Sequence, residues 1–540
     1  MQVYYIKLPY PYMPEPLDTL QQRWDATCKI LLGEPIGALQ DYREWLLELT
    51  EPLHHTASSI SGKKTTYYVT KYEKNSKRIS FEEIDFAKNY PAPNMDAKNI
   101  QELLNSISGR FHYAGNIILG KCGAIEKSSN LQNSFYMLES GNYDGCKYTA
   151  YSTVGRFSED SYGGNGIGNS SIVLKCKETF ENKRCLEAWM SQYVSDCYYS
   201  YALANCSDCM FCFHLKGKKH CIGNLQLTPE QYKQIKKKLL SQMLSYLKEH
   251  KRLPSLAEIA RNSKLDKSII EKIKLPESKK EKKDLQEIES AFKKACKLIF
   301  GKELPGKIDD YGKWLSTNKR EIKSYKSAIS GKPVFIGDYC ALFDLPKDRL
   351  LGADEAPAFA QAAHLSLEEV QSLEFSKITQ ILGKIAYFSP EYYEGASANI
   401  IDTPTAMDSS NCYKTFATVW AKYCAYGFWP RSSEYIFGFD TCLSSSFCIN
   451  CYNSTSLTRC FEMDGCANCS DSYFCHNSES LSNCLFCFNV KAKHYAIGNV
   501  EVGKEKYEKI KKMVLEEIAK KLEKEKKLEL NIYNIGSLKK

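Results

Sequence analysis

CLSSSF-CINCYN-STSLTR-CFEMDG-CANCSD-SYFCHN-SESLSN-CLFCFN, residues Cys442–Asn489 written in sixes, decides the architecture. The first and fourth columns hold Cys, Ser, Leu and Met, and the sixth is rich in Asn, Asp and Gly. All eleven cysteines from Cys412 to Cys487 share one phase of a three-residue count, as do all nine from Cys122 to Cys221. Small residues in register with Asx and Gly between them describe a chain that coils, burying like residues in a column and turning at its corners. Cys442 precedes Cys460, Cys448 precedes Cys466 and Cys451 precedes Cys469 by 18 residues. That closure leads to the expectation of a three-sided, cysteine-lined parallel β-solenoid with about 18 residues per turn. The three-residue phase conflicts with simple strand alternation, so its strands must be short and bent.

The coil occurs twice. LDTLQQRWDATCKILLGE (Leu17–Glu34) reads against LQEIESAFKKACKLIFGK (Leu285–Lys302), aligning Cys28 with Cys296. DYREWL from Asp41 matches DYGKWL from Asp310, and the stretch from Cys209 through TPEQYKQIKKKLL matches that from Cys484 through GKEKYEKIKKMVL. The fold class expected is therefore α+β, a tandem duplication. Each copy has an α/β cap domain closing a solenoid end (1–116 and 285–400), a β-solenoid (117–225 and 401–500) and a basic helix. The first helix lies in 226–284 with an insert and linker, the second in 501–540 with a tail. Leu17, Leu20, Trp24, Cys28 and Leu31 mark the helical stripe of the first cap.

At 540 residues, 43% apolar, the chain has ample core for several domains. MQVYYIKLPYPYMPEP lacks a secretory pattern, and no apolar window is long enough to span a bilayer. A cytoplasmic protein without a membrane partner is expected, its 23 cysteines mostly free thiols. Its net charge of +9 is concentrated between Gln231 and Lys297, including Lys279–Lys283, and the mixed signs there read as solvated helix faces.

Two patterns carry chemistry. Cys448 and Cys451, with Cys466 and Cys469, are CxxC pairs at the spacing of a four-thiolate zinc or iron site. Against a ligand role, the first copy has Ser191 opposite Cys466 and Val194 opposite Cys469, a tolerance expected of small core positions. The second pattern, RLPSLAEIARNSKLDKSIIEKIK (Arg252–Lys274), has no counterpart in the other copy and resembles a helix-turn-helix packed on the helix from Gln231. That resemblance places Lys264 in the turn, and Lys267, Ser268, Glu271 and Lys272 on the nucleic-acid-reading helix. GNIILGKC (Gly115–Cys122) departs from a phosphate-binding loop at the hydroxyl position, and no catalytic residue is assigned.

MDGCANCSDSYFCHNSESLSNCLFCFNVKAKHYAIGN (from Met463) and CSDCMFCFHLKGKKHCIGN (from Cys206) resemble an uncharacterised cysteine-rich repeat family of archaea and candidate-phylum bacteria. The resemblance implies a solenoid-like fold and no activity. The function expected is a non-catalytic intracellular scaffold with a protein partner. The alternatives are nucleic-acid binding through the insert and a thiolate metal protein holding zinc or iron.

Overall fold

The computed structural model describes residues 16–275 and 283–537. The chain's first residues and the lysines of 279–282 lie outside them. The protein is mixed α/β, built around two curled, mostly parallel sheets of 16 and 14 strands.

Hydrogen-bond register gives the turn length, and here the structure corrects the sequence reading. In the first sheet Lys147 pairs with Glu159, Glu159 with Ser171, Ser171 with Lys183 and Lys183 with Ser195. In the second, Ser410 pairs with Lys422, Lys422 with Glu434 and Glu434 with Ser446. One turn takes 12 residues, not 18. Along both ladders almost every third residue has positive φ, as at Tyr148, Tyr151, Val154, Phe157 and Asp160. Twelve-residue turns with a bend every three residues have four bends, so a three-sided coil of 18 residues does not describe them.

The bend explains the three-residue beat. A left-handed residue turns the chain, the next points inward, and the one after begins the following bend. Asn and Gly take the left-handed region readily, and many bends carry them, but Tyr199, Phe211 and Glu187 also lie there. Each such non-glycine residue costs roughly 1 kcal/mol, offset by regular hydrogen bonding. The bend N–H of Tyr151 donates to the Leu138 carbonyl at 2.9 Å, and that of Phe211 to the Tyr198 carbonyl at 3.0 Å.

Why the inward residues are cysteine follows from the same geometry. The Ser152 hydroxyl donates to the Ala150 carbonyl (2.9 Å) and accepts from the Gly164 N–H (3.0 Å). The Cys146 thiol does likewise, donating to the Asp144 carbonyl (3.3 Å) and accepting from the Ser158 N–H (3.3 Å). Many inward positions take a small side chain that can also bond the backbone, where either chalcogen serves, while Ile436, Leu457 and Met463 fill the space between them. Cys146→Ser and Cys466→Ser are therefore expected to cost under about 1 kcal/mol, whereas Cys466→Leu overpacks its column by about 1–3 kcal/mol. Denaturant midpoints check this; a Ser variant as damaging as Leu would contradict the interior geometry.

Each ladder ends in a short antiparallel hairpin, Cys221–Gln226 and Ala496–Glu501, followed by a 22-residue helix, Pro229–His250 and Lys504–Glu525. The first helix starts on a capping box at Thr228 with Gln231, and its buried Tyr232, Ile235, Leu239, Met243 and Leu247 leave Lys233, Lys237, Lys238 and Lys248 exposed, while Lys236 lies over the Tyr198 ring. Helix Pro16–Leu32 lies along the side of the first ladder, touching successive strands, rather than over its end. The ends are closed crosswise. Leu365 N–H donates to the Gly223 carbonyl (2.9 Å), and Asn224 Nδ2 to the Ala363 carbonyl (2.8 Å), so the second half seals the first ladder. Reciprocally, Arg110 donates to the Gly498 carbonyl and Asn489 Nδ2 to the His112 carbonyl (2.8 Å). The hydrophobic cores follow this exchange: one joins Trp24, Trp189 and Tyr201 to Phe359 and Phe388, the other Tyr72 and Tyr113 to Phe461 and Tyr533.

Candidate functional site

The two halves meet around a cleft of about 470 Å³ whose walls include Glu51, Tyr68, Lys71, Arg320, Cys340 and Asp440. Arg320 packs between the rings of Tyr339 (5.3 Å) and Phe428 (4.4 Å). Its guanidinium donates to both oxygens of Glu51, at 2.5 and 3.0 Å, and its Nε lies 3.8 Å from Asp440. Lys71 Nζ is 3.0 Å from the other Asp440 oxygen, and Tyr68 donates to Glu51 at 2.5 Å. Burial works against ionising Asp440, but Lys71 and Arg320 outweigh it and hold the carboxyl below its usual range. Two cations thus face two carboxylates, and the cleft is a charged joint between the halves in which the buried Arg320 Nε alone of the guanidinium nitrogens lacks a hydrogen-bond partner.

Cys340 lines the same cleft, off the thiol columns, with positive φ. Its Sγ lies 3.4 Å from Glu178 Oε2 and 3.5 Å from Asn165 Oδ1. Burial, and then the Glu178 charge, push this thiol well above its ordinary value. A protonated thiol beside a carboxylate is a hydrogen-bond donor, not a nucleophile.

The thiols singled out from the sequence do not converge. Cys448 belongs to a ladder with Ile436, Cys451 pairs with Met463, Cys469 with Leu457, and the Cys466 N–H bonds Ser454, which sits opposite Cys442. Cys448, Cys451, Cys466 and Cys469 therefore point inward from four different walls. Among the described residues no three His, Cys, Asp or Glu side chains come together where a metal could sit. All 23 cysteines are free, and all but Cys122 are buried. Burial pushes Cys442 up to about 12 and Cys451 to about 11. Thiol titration of the native protein should therefore find few fast-reacting groups, with the rest appearing on denaturation; fast native labelling of most thiols would contradict it.

The insert is only half the expected motif. Ser255 caps helix Leu256–Asn262, but the second element is a single 3-10 turn, Ile270–Lys272. The chain between them is held by the other half: Arg349 donates to the Ser263 carbonyl (2.5 Å), Tyr387 to that of Asp266 (2.9 Å), and the Asp266 N–H reaches the Gly383 carbonyl. Any Cβ at Gly383 would lie 1.8 Å from the Lys264 carbonyl oxygen, so this packing excludes a larger residue there. The segment is a strap, and a helix that could enter a groove is not formed. Lys264, Lys267, Ser268 and Lys272 are exposed on it.

Buried charges escaped the sequence reading altogether. Lys175 Nζ donates to the carbonyls of Trp45 and Glu48, and Lys177 Nζ to those of Leu49 and Gly163, ending the short helix Arg43–Leu47. Burial brings these amines down to about 7 and about 8. In the second half Glu462 accepts from Asn450 Nδ2 (2.9 Å) and the Ile532 N–H (2.8 Å). Burial pushes its carboxyl up to about 8. A carboxyl that binds its proton more tightly when folded stabilises at low pH, and that contribution fades as pH rises from about 4.5 to about 8. The wild type minus Glu462→Gln stability difference should therefore fall by a few kcal/mol over this window. Denaturant titrations of both proteins across it check this; a constant difference would contradict the assignment.

No family model, curated protein or solved structure matches the chain. Among the described residues no helix is long and apolar enough to cross a membrane.

Proposed function

We propose that the protein is a non-catalytic cytoplasmic scaffold or interaction protein, built from two copies of one unit whose cysteine-lined solenoids display side chains to a partner. The supporting observation is where the large rings go. Phe157, Tyr193 and Trp420 are 61%, 47% and 53% exposed, and each occupies a left-handed bend of a ladder. Bends hold a side chain at a fixed height and angle, and rigid exposed aromatics are the groups that anchor interfaces. Inside the ladders, thiols and hydroxyls are engaged by their own backbone, which favours a structural role for the cysteines over metal or redox chemistry. The exchanged ends lock both ladders into one body, so their outer faces keep a constant relation.

A photo-crosslinking amino acid placed singly at positions 157, 193 and 420, with position 233 on the exposed side of helix Pro229–His250 as control, tests this in cells. The reading expects the same adduct from the three bend positions and not from the control. Adducts equally frequent at all four positions, or at none, would refute it.

A further inference from the structure

Arg156 and Arg431 are half-buried arginines, one on each ladder. Arg156 lies over the ring of Phe180 at 5.9 Å, two turns along the same column, and Arg431 over Trp420 at 5.1 Å. Gly168 stands between Arg156 and Phe180 and leaves the arginine room, since a Cβ there would come within 3.0 Å of the ring. Phe180 meets Tyr193 edge-on at 5.8 Å, and Gln192, next on the column, donates to the Tyr392 hydroxyl at 3.1 Å. That bond joins the two halves, so these groups form one surface. Burial, and then the charge of Arg156, hold the Arg431 guanidinium below its ordinary value, placing the two cations within each other's field.

Among the described residues neither guanidinium makes an ion pair or donates a hydrogen bond to protein. The carboxylates nearest Arg156 make no contact ion pair with it, although Asp144 sits one turn away on its column and Glu178 lies within its field. Glu178 accepts from Cys340, Asp144 from Asn133 and Glu394 from Tyr392, while Glu181 is exposed on the column of Phe157 and Tyr193. Two planar cations within each other's field, neither in a contact ion pair, repel; an anion held by both would turn that repulsion into two-sided binding, and a guanidinium fork suits phosphate oxygens. Exposed rings on either side suit the faces of bases.

The geometry points to a single-stranded nucleic acid as the partner of this face, its phosphates held by Arg156 and Arg431 and its bases stacked on Trp420, Phe157 and Tyr193. This rests on the reading of the protein as an interaction scaffold, and names its partner. A duplex keeps its base faces inside its own stack, so the rings distinguish strand from duplex. The exposed lysines of the strap, Lys264, Lys267 and Lys272, are the competing site.

Fluorescence anisotropy of the full chain with a labelled twelve-nucleotide oligouridylate and the matching duplex tests this. We expect the single strand to bind more tightly than the duplex and to quench tryptophan fluorescence. Arg156→Gln with Arg431→Gln, thermal midpoint unchanged, should weaken it at least tenfold and reduce the slope of log affinity against log salt by about 1.4, two single-strand phosphate contacts. Trp420→Ala should weaken it about tenfold, whereas neutralising the three strap lysines should leave it within about twofold, since they touch no base. Absence of binding at low salt, equal binding of duplex, or loss on neutralising the strap but not the arginine pair would each overturn the proposal. Were an acidic glutamate–tyrosine copolymer bound through the arginine pair instead of oligouridylate, the nucleic-acid assignment would fall while the scaffold reading stood; a face that bound neither would remove support from both.

Discussion

Expressed alone, residues 16–275 and residues 283–537 should each fail to reach a native state, and mixing or coexpressing them should restore it. The expectation comes from the crosswise closure. Without the second half, the first ladder ends at Gly223 with nothing to replace Leu365 and Ala363, and Tyr201 loses the Ser389 carbonyl its hydroxyl bonds at 2.9 Å. The loss in apolar burial is larger. Phe359, Leu365, Tyr387 and Phe388 pack in the same core as Tyr201, Phe213 and Leu256, and all are buried. Each large side chain returned to water forfeits about 1.5–3 kcal/mol, so a handful exceeds the 5–15 kcal/mol that a folded chain typically has in hand. The other half loses Tyr113, Phe111 and Ile107 from its core in the same way. Circular dichroism and hydrogen exchange of the separate and combined halves check this. A half that folds cooperatively alone, with protected ladder amides, would refute the exchanged-end account.

The contrast between what was legible and what was not follows from the period. Any spacing that is a multiple of three keeps a residue inward, so the cysteines reveal the bend repeat but not how many bends close a turn. Cys448 and Cys466, 18 apart, are one and a half turns apart and lie on opposite walls. The turn length was written in the outward residues instead. Tyr423, Tyr435 and Phe447 stack in sequence at 4.9 and 4.6 Å, Tyr136 stacks on Tyr148 at 5.2 Å, and Arg184 and Arg459 each pair with an aspartate twelve residues on. Side chains stack at that spacing only if they sit on adjacent turns about 4.8 Å apart. The amphipathic faces of the caps were legible as well. Which ladder they cover was not, because an apolar stripe records that it is buried and not by what. The strap reads as two helices for a related reason: the apolar residues that suit a helix-turn-helix core, Ile259, Ala260 and Ile270, are buried against the other half's segment around Ile378–Lys384. Lys175, Lys177, Glu462 and the arginine pair leave no periodic trace, and only their surroundings distinguish them from surface charges.

Replacing Arg320 by methionine should destabilise the protein by about 3–5 kcal/mol, the usual cost of removing one partner from a buried charge cluster. Methionine keeps much of the packing between Tyr339 and Phe428, so the loss is electrostatic: Glu51 would keep only Tyr68 as a side-chain hydrogen-bond donor, and Asp440 only Lys71 as an ion-pair partner. Adding Glu51→Gln should recover more than half of the loss, because a neutral amide in the joint no longer needs a guanidinium. Acidity gives a second readout. Asp440, held below its usual range by Lys71 and Arg320, stabilises the fold at neutral pH and loses that contribution as pH falls through its folded value. With Arg320 gone that value moves up toward the ordinary one, so the joint's share of acid stability is lost at higher pH than in the wild type. Denaturant midpoints of the single and double variants at pH 7 and pH 4 measure both effects. A single variant within about 1 kcal/mol of wild type, the range of exposed ion pairs, would mean that the halves are held by their exchanged ends alone and that the charged joint adds nothing to them.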